Sequence, residues 1–280
     1  MRNRLLFCLT AAVIMAASPA SAGLFGKKDK PGAPATNATP GVESDTFRKA
    51  TKADIEKALR SDPLAQAAFF ALQFSRDPTN AEIGLYLSNA QRAIGHNAEA
   101  ADAAQKVLLF APDNIQVLTA AGKSHIAAGN AFYAIAPLKH IIELKPNSWQ
   151  AYSLLGIAYD QTQRPEDAQA AWATALKLSP DNPSVLTNIA MSKAEAGDLA
   201  GAETLLRTAA AQTGATMQVR QNLALVLGLS GNLTEAEKLL RQDLPPAQAE
   251  ANLAWLQSQQ AKPGAVPMTR SWDSLKASGS

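Results

Sequence analysis

Residues 149–182 read "WQAYSLLGIAYDQTQRPEDAQAAWATALKLSPDN". This is a hairpin of two helices in one short text. Gly156 and Ala168 are small enough to let the two helices approach closely. Tyr152, Tyr159 and Trp172 are large and fill the space beside them. Pro180 cannot continue a helix, so it ends the second one and opens the next unit.

Outward from this hairpin the pattern recurs. Pro78, Pro112, Pro146 and Pro180 stand 34 residues apart. Gly95, Gly129, Gly197 and Gly231 fall on the same grid, with Gln163 in the missing slot. Ala100, Ala134, Ala168, Ala202 and Ala236 repeat it without a gap. A glycine at the hairpin turn can take a left-handed backbone and end the first helix. The residues that follow it, Asn130, Asp198 and Asn232, are good N-caps for the second.

The period and the residues Tyr152, Leu155, Gly156, Tyr159, Ala168, Trp172, Ala175 and Pro180 resemble the tetratricopeptide repeat (TPR) signature. The resemblance implies an all-α chain, a right-handed TPR superhelix of antiparallel helix hairpins. Five repeats are drawn at 81–114, 115–148, 149–182, 183–216 and 217–250, after a degenerate helical hairpin at 46–80. One hairpin cannot bury its apolar face alone, so stacked neighbours must share a core.

The rhythm breaks at Asp243-Leu244-Pro245-Pro246. Pro245 and Pro246 cannot sit inside a helix, so the last repeat stops at about Asp243. A C-terminal capping helix at 246–260 then opens early, overlapping the last repeat frame. It carries Ala249, Leu253 and Leu256 at helical spacing and is polar elsewhere, which a terminal cap needs.

The flanks are of another kind. Arg2 and Arg4, the apolar run Leu5–Ala17 and the small residues Ala20-Ser21-Ala22 read as a signal peptide over 1–22. Cleavage would start the chain at Gly23 and place it in the periplasm; the alternative is an uncleaved anchor. Cys8, the single cysteine, follows Phe7 near the start of the apolar run, where a lipid anchor does not fit. Residues 23–45 read as a disordered Pro/Gly-rich tether and 261–280 as a disordered tail. Trp272 in that tail is either a docking anchor or incidental.

The whole chain has formal net charge +2; without Arg2 and Arg4 it holds 24 basic and 24 acidic residues. No basic field points to nucleic acid. His96, His125 and His140 form no metal spacing, and His125 occupies the slot of Tyr159, which makes it a packing residue. No phosphate loop or nucleophile elbow is present. The reading is a non-enzyme with no cofactor.

What remains is binding. By resemblance to the TPR family, the first helix of each repeat lines a concave groove with slots 2, 5, 6, 9 and 12. These hold Glu82, Tyr86, Asn89, Arg92, Thr119, Lys123, Gln150, Ser153, Asp160, Asn188, Gln218 and Asn222. The candidate peptide-groove residues are Tyr86, Asn89, Lys123, Gln150, Ser153, Asn188, Gln218 and Asn222. Asn188 and Asn222 share one slot of adjacent repeats, and asparagine amides can hold a peptide backbone. A groove facing water is also polar without any ligand. Lys123 with Arg92 does not resemble the basic clamp of chaperone-binding TPR domains.

Residues 219–256, "VRQNLALVLGLSGNLTEAEKLLRQDLPPAQAEANLAWL", carry a narrower resemblance. Their Arg-Gln-Asn-Leu-Ala run, Glu-Ala-Glu hairpin, Asp-Leu-Pro-Pro break and Asn-Leu-Ala-Trp-Leu helix look like the C-terminal segment of TadD-type proteins. Those belong to bacterial tight-adherence (Tad/Flp) pilus systems. The resemblance implies a scaffold that helps the type IVb pilus secretion machinery assemble or localise. Its partners would be the pilus secretin or other Tad components. Outer-membrane association would then come only through partners, because the lipid-attachment signal usual in that family is missing. The alternative is a periplasmic peptide-binding module with a chaperone or regulatory role in another envelope pathway.

Overall fold

The computed structural model describes residues 49–260. The signal segment with Cys8, the tether and the tail with Trp272 lie outside the described residues. Those described form thirteen α-helices and no strand. A first pair, α1 (Lys52–Leu59) and α2 (Pro63–Arg76), precedes five longer hairpins. These are α3 (Ala81–Ala93) with α4 (Asn97–Leu108), α5 (Ile115–Ala127) with α6 (Phe132–Leu144), and α7 (Trp149–Gln161) with α8 (Pro165–Leu178). Then come α9 (Pro183–Glu195) with α10 (Leu199–Ala210), α11 (Met217–Leu229) with α12 (Leu233–Asp243), and a last helix, α13 (Pro246–Gln260).

Local chemistry sets these boundaries. Four of the five first helices are capped at the same slot: Asn80, Asn114, Ser148 and Asn182 accept backbone N–H bonds through their side chains. Each first helix also ends alike. The N–H of His96, Asn130, Arg164, Asp198 and Asn232 reaches back to the carbonyl of Gln91, His125, Tyr159, Lys193 and Leu227, at 2.8–2.9 Å. That bond needs a left-handed residue between, and Gly95, Gly129, Gly197 and Gly231 have φ of 75–97°. Gln163 takes the same conformation at φ 60°, without glycine's freedom.

One cap differs from expectation. Asp198 and Asn232 cap α10 and α12 through their side chains, but Asn130 does not cap α6. That helix starts at Phe132, with Ala131 at the cap and no side-chain bond. Its first turn is tightened by Tyr133 N–H to Asn130 O and Ala134 N–H to Ala131 O. Pro137 inside α6 has no N–H to offer the Tyr133 carbonyl, so the ordinary first turn is already incomplete.

Packing alternates hairpin by hairpin. Within the third hairpin, a Cβ at position 156 would overlap the Trp172 indole. Ala168, Ala171 and Ala175 on α8 are buried beside it. Between hairpins, α3 touches α5, α5 touches α7, α7 touches α9, α9 touches α11 and α11 touches α13, so the first helices form a continuous layer. The double proline acts as a stop: α12 ends at Asp243, and Pro246 opens α13. The terminal helix buries Ala249, Leu253 and Leu256, with Leu256 seated on Gly228.

The joint between α8 and α9 is different. These two helices touch only sparsely; Val185 at the start of α9 still belongs to the apolar block of α7 and α8, and the next block begins at Ala190, within α9. Two polar links cross from α9 to α7 instead. Asn188 Nδ2 donates to Ser153 Oγ at 3.0 Å, and Ser192 Oγ donates to Asp160 Oδ1 at 2.8 Å.

Candidate protein-binding groove

The layer of first helices presents the slots singled out in the sequence. Glu82, Asn89, Lys123 and Gln150 are exposed, while Tyr86, Arg92, Thr119, Asp160, Asn188 and Gln218 are half-buried. At one edge a cavity of about 470 Å³ opens among Ala81, Glu82, Leu85, Tyr86, Asn114 and Gln116. Tyr86 donates its hydroxyl to Glu82 Oε1 at 2.9 Å and stacks at a tilt on Phe70, ring centroids 5.1 Å apart. The hydrogen bond to Glu82, then burial, pushes the Tyr86 phenol above its ordinary value.

The amides are placed less simply. Asn188 is engaged with Ser153, which is itself buried. Asn222 is only 5% exposed; its Oδ1 accepts from Gln218 Nε2 at 3.2 Å and its Nδ2 has no acceptor. The structure therefore brings Ser153 with Asn188, and Gln218 with Asn222, as two internal pairs. Asn89, Lys123 and Gln150 are the candidate residues open to solvent.

Toward the C-terminal end of α3, and on α5 beside it, the face carries Arg92 and Lys123. Arg92 Nη2 donates to Asn89 Oδ1 at 3.3 Å, and the Arg92 Nε–H is buried without an acceptor. Burial holds the Arg92 guanidinium below its ordinary pKa. Lys123 keeps contact with solvent but is partly desolvated by the protein around it. That desolvation, and then the charge of Arg92, holds its ammonium below the usual lysine range.

A second concavity lies over α4, α5 and α6, about 640 Å³, and the sequence reading missed it. Phe132 and Tyr133 on its rim are 70% and 61% exposed. The signal was available in the repeat itself. The other four hairpins carry Ala98-Glu99, Glu166-Asp167, Ala200-Gly201 and Thr234-Glu235 in those two slots, so the fold does not ask for aromatics there. Under this rim His125 is buried, as its slot required, and its Nε2 lies 2.9 Å from Gln105 Nε2. On the outer side His140 bridges Asp113 at 2.7 Å and Glu143 at 2.9 Å. Among the described residues no group of three His, Cys, Asp or Glu side chains could hold a metal ion.

Comparison with known proteins agrees with this architecture. Residues 149–182 match the tetratricopeptide repeat family model. No curated protein sequence matches the chain. A thermophilic TPR protein of Thermus thermophilus is 20% identical with TM-score 0.56, over 64% of this chain and 99% of that one. A tetratricopeptide repeat protein of Parabacteroides merdae is 16% identical with TM-score 0.54, over 74% and 85% of the two chains. The chain carries a tetratricopeptide repeat at 149–182 and has the fold of tetratricopeptide repeat proteins.

Proposed function

We propose that this tetratricopeptide repeat protein is a non-catalytic scaffold of the bacterial envelope that binds a segment of a partner protein along its first-helix face. The observation that carries the reading is that face: a continuous layer of first helices whose exposed slots include Glu82, Asn89, Lys123 and Gln150, beside a cavity at Tyr86. Stacked-hairpin arrays use extended faces of this kind as binding surfaces.

The machine we favour is the Tad/Flp pilus secretion apparatus, with the secretin or another of its components as partner. Support comes from the residues that resemble the TadD-type ending, because they form one physical unit. Arg220 pairs with Asp243, both proline residues mark the stop, and Leu253 and Leu256 close the end of the array. Placement in the periplasm rests on the N-terminal signal pattern.

The test is a deletion strain in a host that makes these pili. Loss of surface pili and of secretin multimers is expected, restored by the wild-type gene. Restoration should be poor with Asn89→Ala/Gln150→Ala, both exposed and free of core packing. Normal pili and normal multimers in the deletion strain would sink the pilus role. Full rescue by the double variant would argue against the groove as the contact surface.

A further inference from the structure

The outward face of α6 is apolar where the other second helices are mostly polar. Its aromatic pair Phe132-Tyr133 stands in slots that the other hairpins fill with small or acidic residues. Ile135 takes the slot of Gln169, Glu203 and Glu237 in the later hairpins. Phe132, Tyr133 and Ala136 are exposed, and Ile135 and Pro137 are half-buried. A surface helix needs only one apolar face to meet the core. The array therefore does not ask for these side chains, and a contiguous apolar surface patch marks a contact.

All five residues line the cavity of about 640 Å³ over α4, α5 and α6. Leu108 of α4 and Leu118 and Ala121 of α5 line it as well. None of the first-helix slots borders it. Phe132 meets Tyr133 edge to face, ring centroids 5.7 Å apart, and Tyr133 leans on the His125 ring at 5.7 Å. Both rings are thus braced at the rim with most of their surface open.

A protrusion and a depression of one chemistry on a single face suit a two-fold contact, in which each copy offers its rings to the other's cavity. A cavity of this size holds a small ligand, which is more than one aromatic ring requires. The charges agree. Lys139 lines the cavity, and Asp102 lies one turn before Gln105, which also lines it. Both are exposed, and among the described residues neither forms an ion pair. The border carries one open charge of each sign, so a second copy meets it without net repulsion.

We propose that the outward face of α6 docks a second copy of this chain, Phe132 and Tyr133 of each copy seated in the other's cavity. The proposal is independent of the groove reading, whose slots lie elsewhere. Size sets its strength. At 70% and 61% exposure the two rings offer roughly 200–330 Å² per copy, and Ile135, Ala136 and Pro137 add to that. Such a contact falls at the low end of specific interfaces, about 1,200 Å² in total or less, so the dimer dissociates at micromolar concentrations.

The test is sedimentation equilibrium of the full chain, purified after export, from about 1 to 300 μM. The average mass should rise from one chain to two and stop there. Phe132→Glu/Tyr133→Asp writes the residues of the α8 slots into α6 and should weaken association at least about tenfold. Its thermal midpoint at about 1 μM, where the wild type is monomeric, should stay level or rise, because acidic residues suit the start of a helix. Leu64→Gln removes an equally open apolar side chain on α2, 67% exposed, and should leave the dissociation constant within about twofold. A wild type that remains one chain throughout would overturn the proposal and leave the patch to a different protein. Growth beyond two copies would overturn it in favour of a head-to-tail contact. Association that survives in the aromatic variant, or that falls equally with Leu64→Gln, would overturn it as well. So would a lower midpoint of the aromatic variant at about 1 μM, which would mean that the rings are covered within one chain.

Discussion

The Trp172 indole lies against Gly156 and donates its Nε1–H to the Ser153 carbonyl at 3.1 Å. One side chain thereby fills the space left by a missing Cβ and ties α8 to α7. Trp172→Ala should destabilise the protein by about 3–5 kcal/mol, because a buried aromatic leaves a cavity that neighbours only partly refill. Gly156→Ala should cost roughly 1–3 kcal/mol by overpacking the same contact. Urea unfolding measures both. A loss well below 1 kcal/mol for Trp172→Ala would contradict the register of the third hairpin.

Gln163 adopts φ 60° at a turn where four other hairpins have glycine. A side chain in the left-handed region costs roughly 1–2 kcal/mol, offset in part by glycine's greater freedom when unfolded. Gln163→Gly should therefore raise stability by a few tenths to about 1 kcal/mol. A lower melting temperature for this variant would show that the Gln163 side chain stabilises the turn by more than its backbone strain costs.

Arg220 and Asp243 form a two-pronged ion pair, 2.8 Å at each prong, with the Asp243 side chain only 7% exposed. It joins α11 to the end of α12 just before the double proline. Asp243→Asn should cost roughly 1–3 kcal/mol, since a charge-assisted contact is weakened and Arg220 loses its countercharge. Hydrogen exchange should speed up in α13 more than in α3. Uniform exchange along the array would refute the link between this pair and the cap.

The two histidines around α6 should pull stability in opposite directions with pH. Burial pushes the His125 imidazole down, against the opposing charge of Asp102. Below about pH 6.5 the unfolded chain gains a proton that folded His125 refuses, so its contribution falls as pH drops toward the folded value. His140 is raised by its bond to Glu143 and then by that to Asp113. Its contribution is complete below about pH 6.5 and is lost as pH rises through the raised folded value. His125→Gln should thus flatten the acid-side loss in melting temperature, and His140→Gln should remove an acid-side gain. Identical pH profiles for the two variants would contradict the assignment.

Most of the array was legible in the sequence because the repeat rewrites the same constraint each time. The left-handed turn and the close contact at Gly156 are local demands, and each selects a residue type. The double proline was legible for the same reason. The placement of groove side chains was not. Asn188 and Asn222 share a slot, yet one reaches across to Ser153 and the other is buried with an unused donor. What covers a slot depends on the neighbouring hairpin, and periodicity carries no record of that. Asn130 does not cap α6, whose cap position falls at Ala131 instead, and the repeat gave no sign of that shift.

At the α8–α9 joint direct contact is sparse, and the bonds Asn188–Ser153 and Ser192–Asp160 tie α9 back to α7 beside the apolar contacts of Val185. Water can replace such bonds at small net cost, whereas exposing apolar area is penalised throughout. Stiffness along the chain is therefore uneven. A load applied at its two ends would be felt early at this sparse joint, where the polar links to α7 help to carry it.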